Sequence, residues 1–441
     1  VAERVVVLGG GATGTSFAAA LRRLDEQVRI TVVERELVGG ECSYWACMPS
    51  KALLRPLEAL AAATLVPGSA EAVTGEPDLD RVFWHRDQVV EGWDDSSQAD
   101  FLAERDIDLV RGTGRVAEPG LVLVDDEALA YDKLMIATGS VPSIPPIDGL
   151  ADTDYWTSRQ ATETREIPES ITVIGAGPVG CELGQFFRRA GARVVLADVV
   201  DRLLPRDDAD AGEVLRAALE DEGVELRLGV EIERIEPGFR IDLAGERGIR
   251  TERLLVATGR RANTEGFGFE HLGLEISERG IEVDDRLRAA EGVWAIGDVT
   301  GIAMFTHLGK YHGRVAAADV AGKQVRVDHR AIPAVTFTDP QVASVGQTSG
   351  EGLASGESRV DQVSRSSTYE RPRRPGLLKL FAKNGAIVGA VAVGPDAGEW
   401  LGQLTLAVKT QVPVDVLSDT IQPYPTFSEA IAFAARELSD G

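Results

Sequence analysis

The sequence predicts an α/β fold of two doubly wound units followed by a smaller α+β domain, and two internal repeats carry that prediction. One repeat is a strand, a glycine turn, a helix, a second strand and an acid, in that order, found twice. The other is an apolar strand closing on Ala-Thr-Gly, found once behind each copy of the first. The opening copy runs from a strand over residues 4–8 through Gly9-x-Gly11-x-x-Gly14 into a helix reaching residue 24. Its second strand covers residues 28–33 and ends at Glu34. The later copy has a strand over 171–174, Gly175-x-Gly177-x-x-Gly180, a helix to 190, a stop at Gly191, and a strand over 192–197 ending at Asp198.

A single G-x-G-x-x-G is weak evidence, since glycines gather in many turns. Here each copy has the strand before it, the helix after it and an acid about twenty residues on. That pattern has a physical purpose. The glycines let backbone amides meet a pyrophosphate at a helix N-terminus, and the acid hydrogen-bonds ribose hydroxyls. Both units are therefore expected to be Rossmann-like dinucleotide-binding domains. The strands over 134–136 and 254–256, ending in Ala137-Thr138-Gly139 and Ala257-Thr258-Gly259, are expected to close them. A further buried strand, 293–296, ends in Gly297-Asp298, where one aspartate can reach a ligand hydroxyl.

Between the first unit and its closing strand lies the run Gly39-Gly40-Glu41-Cys42-Ser43-Tyr44-Trp45-Ala46-Cys47-Met48-Pro49-Ser50-Lys51. A C-x4-C pair alone could be structural, half a metal site or accidental. Its context changes that. The double glycine allows close backbone approach to a ligand, and a helix opening near Ser50 would lower a thiol's pKa. Lys51 stands four residues after Cys47, on the same helical face, where a cation favours thiolate.

Pro-rich segments at 141–146 and 329–333 mark joints. Beyond them the pattern becomes alternating strands at 334–338 and 377–381 and a late helix over 400–408, an α+β interface domain. The polar stretch 347–356 reads as a surface loop.

The chain has 441 residues, 44% hydrophobic, with a net charge of -24. That length exceeds one ordinary core. The acidic balance disfavours nucleic acid and anionic membrane as partners. Three cysteines and five dispersed histidines build no zinc cluster, so no metal is expected. No eighteen-residue apolar stretch is present and the chain enters a strand at once, from which a cytoplasmic location is expected. In a reducing cytosol a close cysteine pair reads as catalytic or redox-sensing. Cys181, at the start of the second loop's helix, reads as packing.

With these motifs in this order, the chain resembles the pyridine nucleotide-disulfide oxidoreductases over essentially its full length. The resemblance implies an FAD-binding domain at 1–150 and 285–329, an NAD(P)-binding domain at 151–284 and a dimerisation domain at 330–441. It implies a homodimer whose active site is shared across the interface. Gly9, Gly11 and Gly14 would face the FAD pyrophosphate, Glu34 the adenosine ribose and Asp298 the ribityl chain. Gly40, Gly114, Thr138 and Gly139 would add FAD contacts, as would His307 through its backbone. Gly175, Gly177, Gly180, Asp198 and Gly259 would bind the nicotinamide dinucleotide, with NADH preferred over NADPH because Asp198 would repel a 2′-phosphate. Cys47 would be the flavin-proximal thiol, Cys42 the interchange thiol, and Lys51, paired with Glu182, the cation near the flavin.

Two departures from the family pattern bear on function. Tyr44, Trp45 and Ala46 stand where Asn and a small residue are common, either lining the site or packing against neighbouring helices. The C-terminal His-Pro-Thr-x-Ser-Glu motif reads Tyr424-Pro425-Thr426-Phe427-Ser428-Glu429, so Glu429 is kept while the acid-base imidazole is replaced. A phenol, with a pKa of about 10 in water, donates hydrogen bonds but is a poor base at neutral pH. The expected activity is an FAD-dependent NAD(P)H oxidoreductase passing hydride through flavin to a Cys42–Cys47 disulfide and on to a small disulfide or related substrate. The alternatives are direct flavin reduction of quinones or dyes, or transhydrogenation. Mercuric or other soft-metal reduction would lack that enzyme's extra C-terminal cysteine pair. A redox sensor would not turn over NADH.

Overall fold

The computed structural model describes residues 2–125, 127–245, 248–369 and 376–440. They fall into two compact units, one of residues 1–49, 86–143 and 260–328, the other of 50–85, 144–259 and 329–441.

The first unit is built on a six-stranded sheet in the order Arg288–Ala290, Val293–Ala295, Lys133–Ile136, Arg4–Leu8, Arg29–Glu34, Asp108–Arg111. All neighbours are parallel except the first pair. Strand Arg4–Leu8 is central and buried on both faces, which is why Val5-Val6-Val7-Leu8 is continuously apolar rather than alternating. A three-stranded antiparallel sheet, Gly114–Glu118, Leu121–Val124 and Glu127–Ala130, adds to this unit.

Helix Ala12–Leu24 packs on helix Thr306–Val320, burying Phe17 completely. Small residues allow that approach. A Cβ on Gly309 would stand 2.1 Å from Thr13 Oγ1, and one on Gly313 3.1 Å from the Phe17 nitrogen. The contact fixes where the N-terminus of helix Thr306–Val320 points. Near its other end, Asp319 accepts hydrogen bonds from Arg288 Nε at 2.6 Å and Trp294 Nε1 at 2.9 Å. Burial alone would raise the Asp319 pKa, but these donors outweigh it and hold the carboxyl below its ordinary range.

The second unit carries a four-stranded parallel sheet, Glu225–Leu228, Arg193–Asp198, Ser170–Ile174 and Arg253–Val256. Helix Pro178–Arg189 opens on a proline, whose missing N–H costs nothing at that position. The C-terminal region forms a five-stranded antiparallel sheet in the order Pro333–Thr336, Gln341–Gly346, Ala386–Gly394, Leu377–Lys383, Ala354–Arg359. Helices Ala397–Thr410 and Glu429–Asp440 pack against it.

One expectation changes here. The stretch expected to be a loop to residue 356 becomes an edge strand from Ala354, paired antiparallel with Leu377–Lys383. Partner pairing, absent from local sequence, decides that strand. The helix expected to open around Ser50 begins at Cys47, so that Cys47 and Lys51 stand four apart on one helix, with Pro49 in its first turn where an N–H is not needed. No described helix is long and apolar enough to cross a membrane.

Candidate active site

The two glycine loops are near copies in detail. A Cβ on Gly14 would lie 2.0 Å from the Gly9 carbonyl oxygen, and one on Gly180 would lie 1.9 Å from that of Gly175. The chain itself therefore requires glycine there. Gly9 and Gly175 are in turn backed by the Ala-Thr-Gly segments, where a Cβ would lie 2.3 Å from the Ala137 oxygen and 2.4 Å from the Ala257 oxygen. That explains why the two sequence repeats travel together.

The middle glycines differ. Both are extended, with φ of -67° at Gly11 and -78° at Gly177. A Cβ on Gly177 would meet nothing within 4 Å, and one on Gly11 only a Gly40 carbon at 4.0 Å. Protein packing gives no reason for glycine at either place. Open space over an amide-lined helix N-terminus is what a pyrophosphate requires, so both loops fit a dinucleotide.

The acids complete the symmetry. Glu34 accepts the Gly10 and Glu36 amides, both at 2.8 Å. Asp198 accepts the Ala176 amide at 2.6 Å and the Val200 amide at 2.9 Å. Each carboxylate is thus fixed at its strand end beside its loop. Arg202 donates to the Pro205 carbonyl.

The cysteine run docks directly on the first loop. The Gly39 amide donates to the Gly10 carbonyl at 2.9 Å, and Gly40, at φ +63°, approaches Gly11 so closely that a Cβ would stand 2.9 Å from its Cα. Cys42 lies in the short helix Gly40–Tyr44, and Cys47 opens helix Cys47–Leu65. Their side chains hydrogen-bond each other. Cys47 Sγ also lies 3.4 Å from the Thr306 hydroxyl. The hydrogen bond with Cys47 and burial raise the Cys42 pKa, partly opposed by Thr306 and Lys310. Cys47 opens a nineteen-residue helix, whose N-terminal dipole favours negative charge.

Tyr44 and Trp45 turn away into a core with Val90, at 2% and 7% exposure. Burial, then the nearby Asp95, push the Tyr44 pKa up to about 12. These aromatics pack and do not line a site.

Asp298, partly buried, accepts the Ser140 hydroxyl at 2.6 Å, and Arg260 Nε donates to that same hydroxyl at 2.8 Å. Arg260 also faces Glu41 at 3.7 Å, which links the Gly-Asp turn to the thiol helix. Burial raises the Asp298 pKa. His312, fully buried, accepts the Gly297 amide at Nδ1, 3.3 Å away. His307 is exposed and stacks on Phe305, with ring centroids 5.1 Å apart. The Thr138 hydroxyl donates to the Asn263 carbonyl at 2.7 Å. A Cβ on Gly139 or Gly259 would meet nothing within 4 Å, whereas one on Gly114 would lie 2.7 Å from Leu8 Cδ2.

In the second unit Lys51 Nζ donates to Glu182 Oε2 at 2.7 Å and stands 4.7 Å from the centre of the Phe337 ring. Glu182 is buried, and its other oxygen accepts the Phe337 amide at 2.8 Å. Tyr424 is 75% exposed in a turn that Glu429 closes by accepting the Thr426 amide at 3.2 Å. Cys181 is buried, its thiol donates to the Ala176 carbonyl, and burial pushes its pKa up, all of which make it inert. No group of three or more His, Cys, Asp or Glu among the described residues could hold a metal ion.

Sequence reasoning brought together the loops, acids and thiols. It missed Thr306, Lys310, Ser140, Arg260 and Phe337, each supplied by a distant segment, although Ser140 and Arg260 directly follow the two Ala-Thr-Gly turns.

Comparison with known proteins agrees with this geometry. The profile described as pyridine nucleotide-disulphide oxidoreductase matches residues 3–324, and that of the dimerisation domain of the same family matches 332–435. The dihydrolipoyl dehydrogenase of Thermus scotoductus is 35% identical over 98% of this chain and 97% of its own. The mercuric reductase of Streptomyces lividans is 34% identical over 99% of this chain and 96% of its own. Among solved structures, LpdA of Mycobacterium tuberculosis superposes with a TM-score of 0.85 at 25% identity, covering 99% of both chains.

Proposed function

We propose, since the chain belongs to the pyridine nucleotide-disulphide oxidoreductase family and is an FAD- and NAD(P)-dependent oxidoreductase acting on sulfur groups, that it reduces a small disulfide through Cys42 and Cys47. The observation that carries this reading is the thiol pair itself. Two hydrogen-bonded cysteines, one in the first turn of a helix, are docked by Gly39 and Gly40 on a loop shaped for a dinucleotide.

FAD, when bound, supplies two-electron exchange between the reduced nicotinamide and the thiol pair. Gly9, Gly11 and Gly14 hold its pyrophosphate, Glu34 its ribose, and Asp298, set by Ser140, its ribityl hydroxyls. Gly40, Gly114, Thr138, Gly139 and the His307 backbone complete that set. Lys51, fixed by Glu182, is the cation that the family resemblance would assign to the reduced cofactor. Gly175, Gly177, Gly180, Asp198 and Gly259 hold the nicotinamide dinucleotide.

The chemistry of the thiols then follows from their surroundings. The Cys42 thiolate attacks one sulfur of the substrate disulfide, forming a mixed disulfide as the substrate S–S bond breaks and the leaving thiolate takes a proton from solvent. Cys47 attacks the Cys42 sulfur, releasing the second substrate thiolate and closing the Cys42–Cys47 bond. Two electrons have passed from the dithiol to the substrate. A homodimer built on residues 332–435 would bring Tyr424 and Glu429 to the partner's thiols, where the phenol orients substrate. Ile421 and Tyr424, 94% and 75% exposed in the single chain, suit burial in such an interface.

Assaying a panel of disulfides with NADH and with NADPH tests the reading. Steady disulfide turnover is expected, with kcat/KM for NADH higher by about tenfold or more, equivalent to about 1.4 kcal/mol of discrimination. Asp198 carries negative charge where a 2′-phosphate would lie, and Arg202 is engaged with Pro205. A panel in which only quinones and dyes are reduced would contradict the disulfide reading, and a clear NADPH preference would contradict the role of Asp198.

A further inference from the structure

The loop over residues 199–208 joins Asp198 to helix Ala209–Asp221 and touches the second glycine loop directly. At its start Asp198 holds the Ala176 and Val200 amides, and in its middle the Leu204 amide donates to the Ala176 carbonyl at 2.9 Å. Leu204 stands at φ +47°, a left-handed conformation that a leucine keeps only where its surroundings impose it. Part of what imposes it comes from outside the parallel sheet. Ser344, Val391 and Lys379 form one row across three neighbouring strands of the C-terminal five-stranded sheet. Val391, in the middle of the row, belongs to the same buried apolar cluster as Leu203, Leu204, Ala211 and Leu215. On one side of it the Ser344 hydroxyl donates to Asp207 at 3.2 Å. On the other, Lys379 Nζ donates to the two oxygens of Asp208, at 3.0 and 3.2 Å, and to Asp210. The Lys379 and Asp208 side chains are each only 13% exposed, unlike a solvent-screened surface pair. Asp208 also caps the helix, accepting the Asp210 amide at 3.0 Å.

We propose that Lys379, seconded by Ser344, is a positioning residue for the nicotinamide dinucleotide, a clasp by which the C-terminal sheet holds loop 199–208, and through it the glycine loop, in the form that binds. The proposal rests on the reading that Gly175, Gly177 and Gly180 hold that dinucleotide. Lys379 touches neither the glycines nor Asp198, and it acts through Asp208 and the strained turn at Leu204. Without its ammonium, Asp208 and Asp210 repel each other at the far end of the loop, and the loop relaxes away from the left-handed turn that carries the Leu204 amide to Ala176. A dinucleotide then meets a site that is ordered for only part of the time, and its apparent affinity falls by that fraction. The thiols are untouched by this change, so the loss falls on nucleotide binding and not on the later chemistry.

The test is calorimetric titration of the oxidised holoenzyme with NAD⁺, together with KM for NADH and kcat in dye reduction. Lys379→Met should raise both the Kd for NAD⁺ and the KM for NADH by roughly 3- to 10-fold, the scale of coupling through residues that do not touch a ligand. Its flavin content, and kcat at saturating NADH, should match wild type. Lys379→Arg keeps the cation and should keep most of the affinity. Ser344→Ala removes one hydroxyl and should move Kd and KM in the same direction by roughly 2- to 3-fold. Unchanged Kd and KM in flavin-loaded Lys379→Met would overturn the proposal, as would unchanged values in Ser344→Ala if Lys379→Met does not retain flavin. A fall in kcat or flavin content with KM unchanged would mark a general loss of fold and overturn it equally. Gly177→Val tests the underlying reading separately. A Cβ there meets nothing within 4 Å, so the chain accommodates it, while the added side chain should abolish NAD⁺ binding by filling the space of the pyrophosphate. Wild-type affinity in Gly177→Val would overturn the placement of the dinucleotide, and the proposal with it.

Discussion

Cys42→Ser and Cys47→Ser are each expected to bring disulfide reduction to background while NADH-dependent dye reduction continues. A serine hydroxyl ionises far above neutral pH and does not exchange with disulfides, so Cys42→Ser removes the attacking atom. Cys47→Ser allows that attack but leaves the enzyme as a mixed disulfide, because the resolving sulfur is gone. Cys181 cannot replace either one, being buried with its thiol committed to the Ala176 carbonyl. Dyes take electrons without a covalent sulfur intermediate and serve as the internal control for cofactor binding. The two rates, measured on the same preparation by NADH absorbance, separate loss of chemistry from loss of fold. Steady turnover of the same disulfide by Cys42→Ser would show that the sulfur pair is not the route.

Tyr424→His is expected to act in the opposite direction, raising disulfide turnover. General acid-base catalysis is worth roughly 10²–10⁴-fold, and a single substitution without a tuned surrounding should recover about tenfold. Glu429 supports this, since its carboxylate already closes the turn that carries position 424. The new imidazole should also add a pH dependence with a midpoint near its ordinary value of about 6.5. Dye reduction should not change. An unaltered disulfide rate and pH profile would mean that residue 424 does not reach the exchanging sulfurs, and a wild-type rate with lipoamide equal to its dye rate would mean that no base is missing.

The parts of the molecule that were legible in the sequence are those set by local sterics. Strand Arg4–Leu8, helix Ala12–Leu24 and the pairing of each loop with its acid follow from contacts within some thirty residues, such as Gly14 against the Gly9 carbonyl and Glu34 on the Gly10 amide. The C-x4-C pair was legible because its spacing and flanking glycines are contiguous. The groups that were not legible arrive from far away. Thr306 is 259 residues from Cys47, Ser140 is 158 from Asp298, and Arg260 is 120 from Ser140. A threonine, a serine and an arginine announce no chemistry by residue type alone. The packing that seats helix Thr306–Val320 on helix Ala12–Leu24 gives Thr306 its role, and the signal for it, Gly309 and Gly313 spaced by four, is a packing motif rather than a chemical one, whereas Ser140 and Arg260 take theirs from Asp298 and each other. Strand Ala354–Arg359 was missed for a related reason. Its sequence, Ala-Ser-Gly-Glu-Ser-Arg, has no strand preference, and pairing with Leu377–Lys383 imposes one.

The central claim is that electrons from the nicotinamide reach Cys42 and Cys47 as a redox pair. Anaerobic addition of one equivalent of NADH to the air-oxidised holoenzyme, followed by quenching with an alkylating agent and peptide mass analysis, measures this directly. Two new alkylated thiols per chain, at Cys42 and Cys47, are predicted, with Cys181 unchanged between the oxidised and reduced samples. Reduction of the flavin without any gain in alkylation at Cys42 and Cys47 would contradict it.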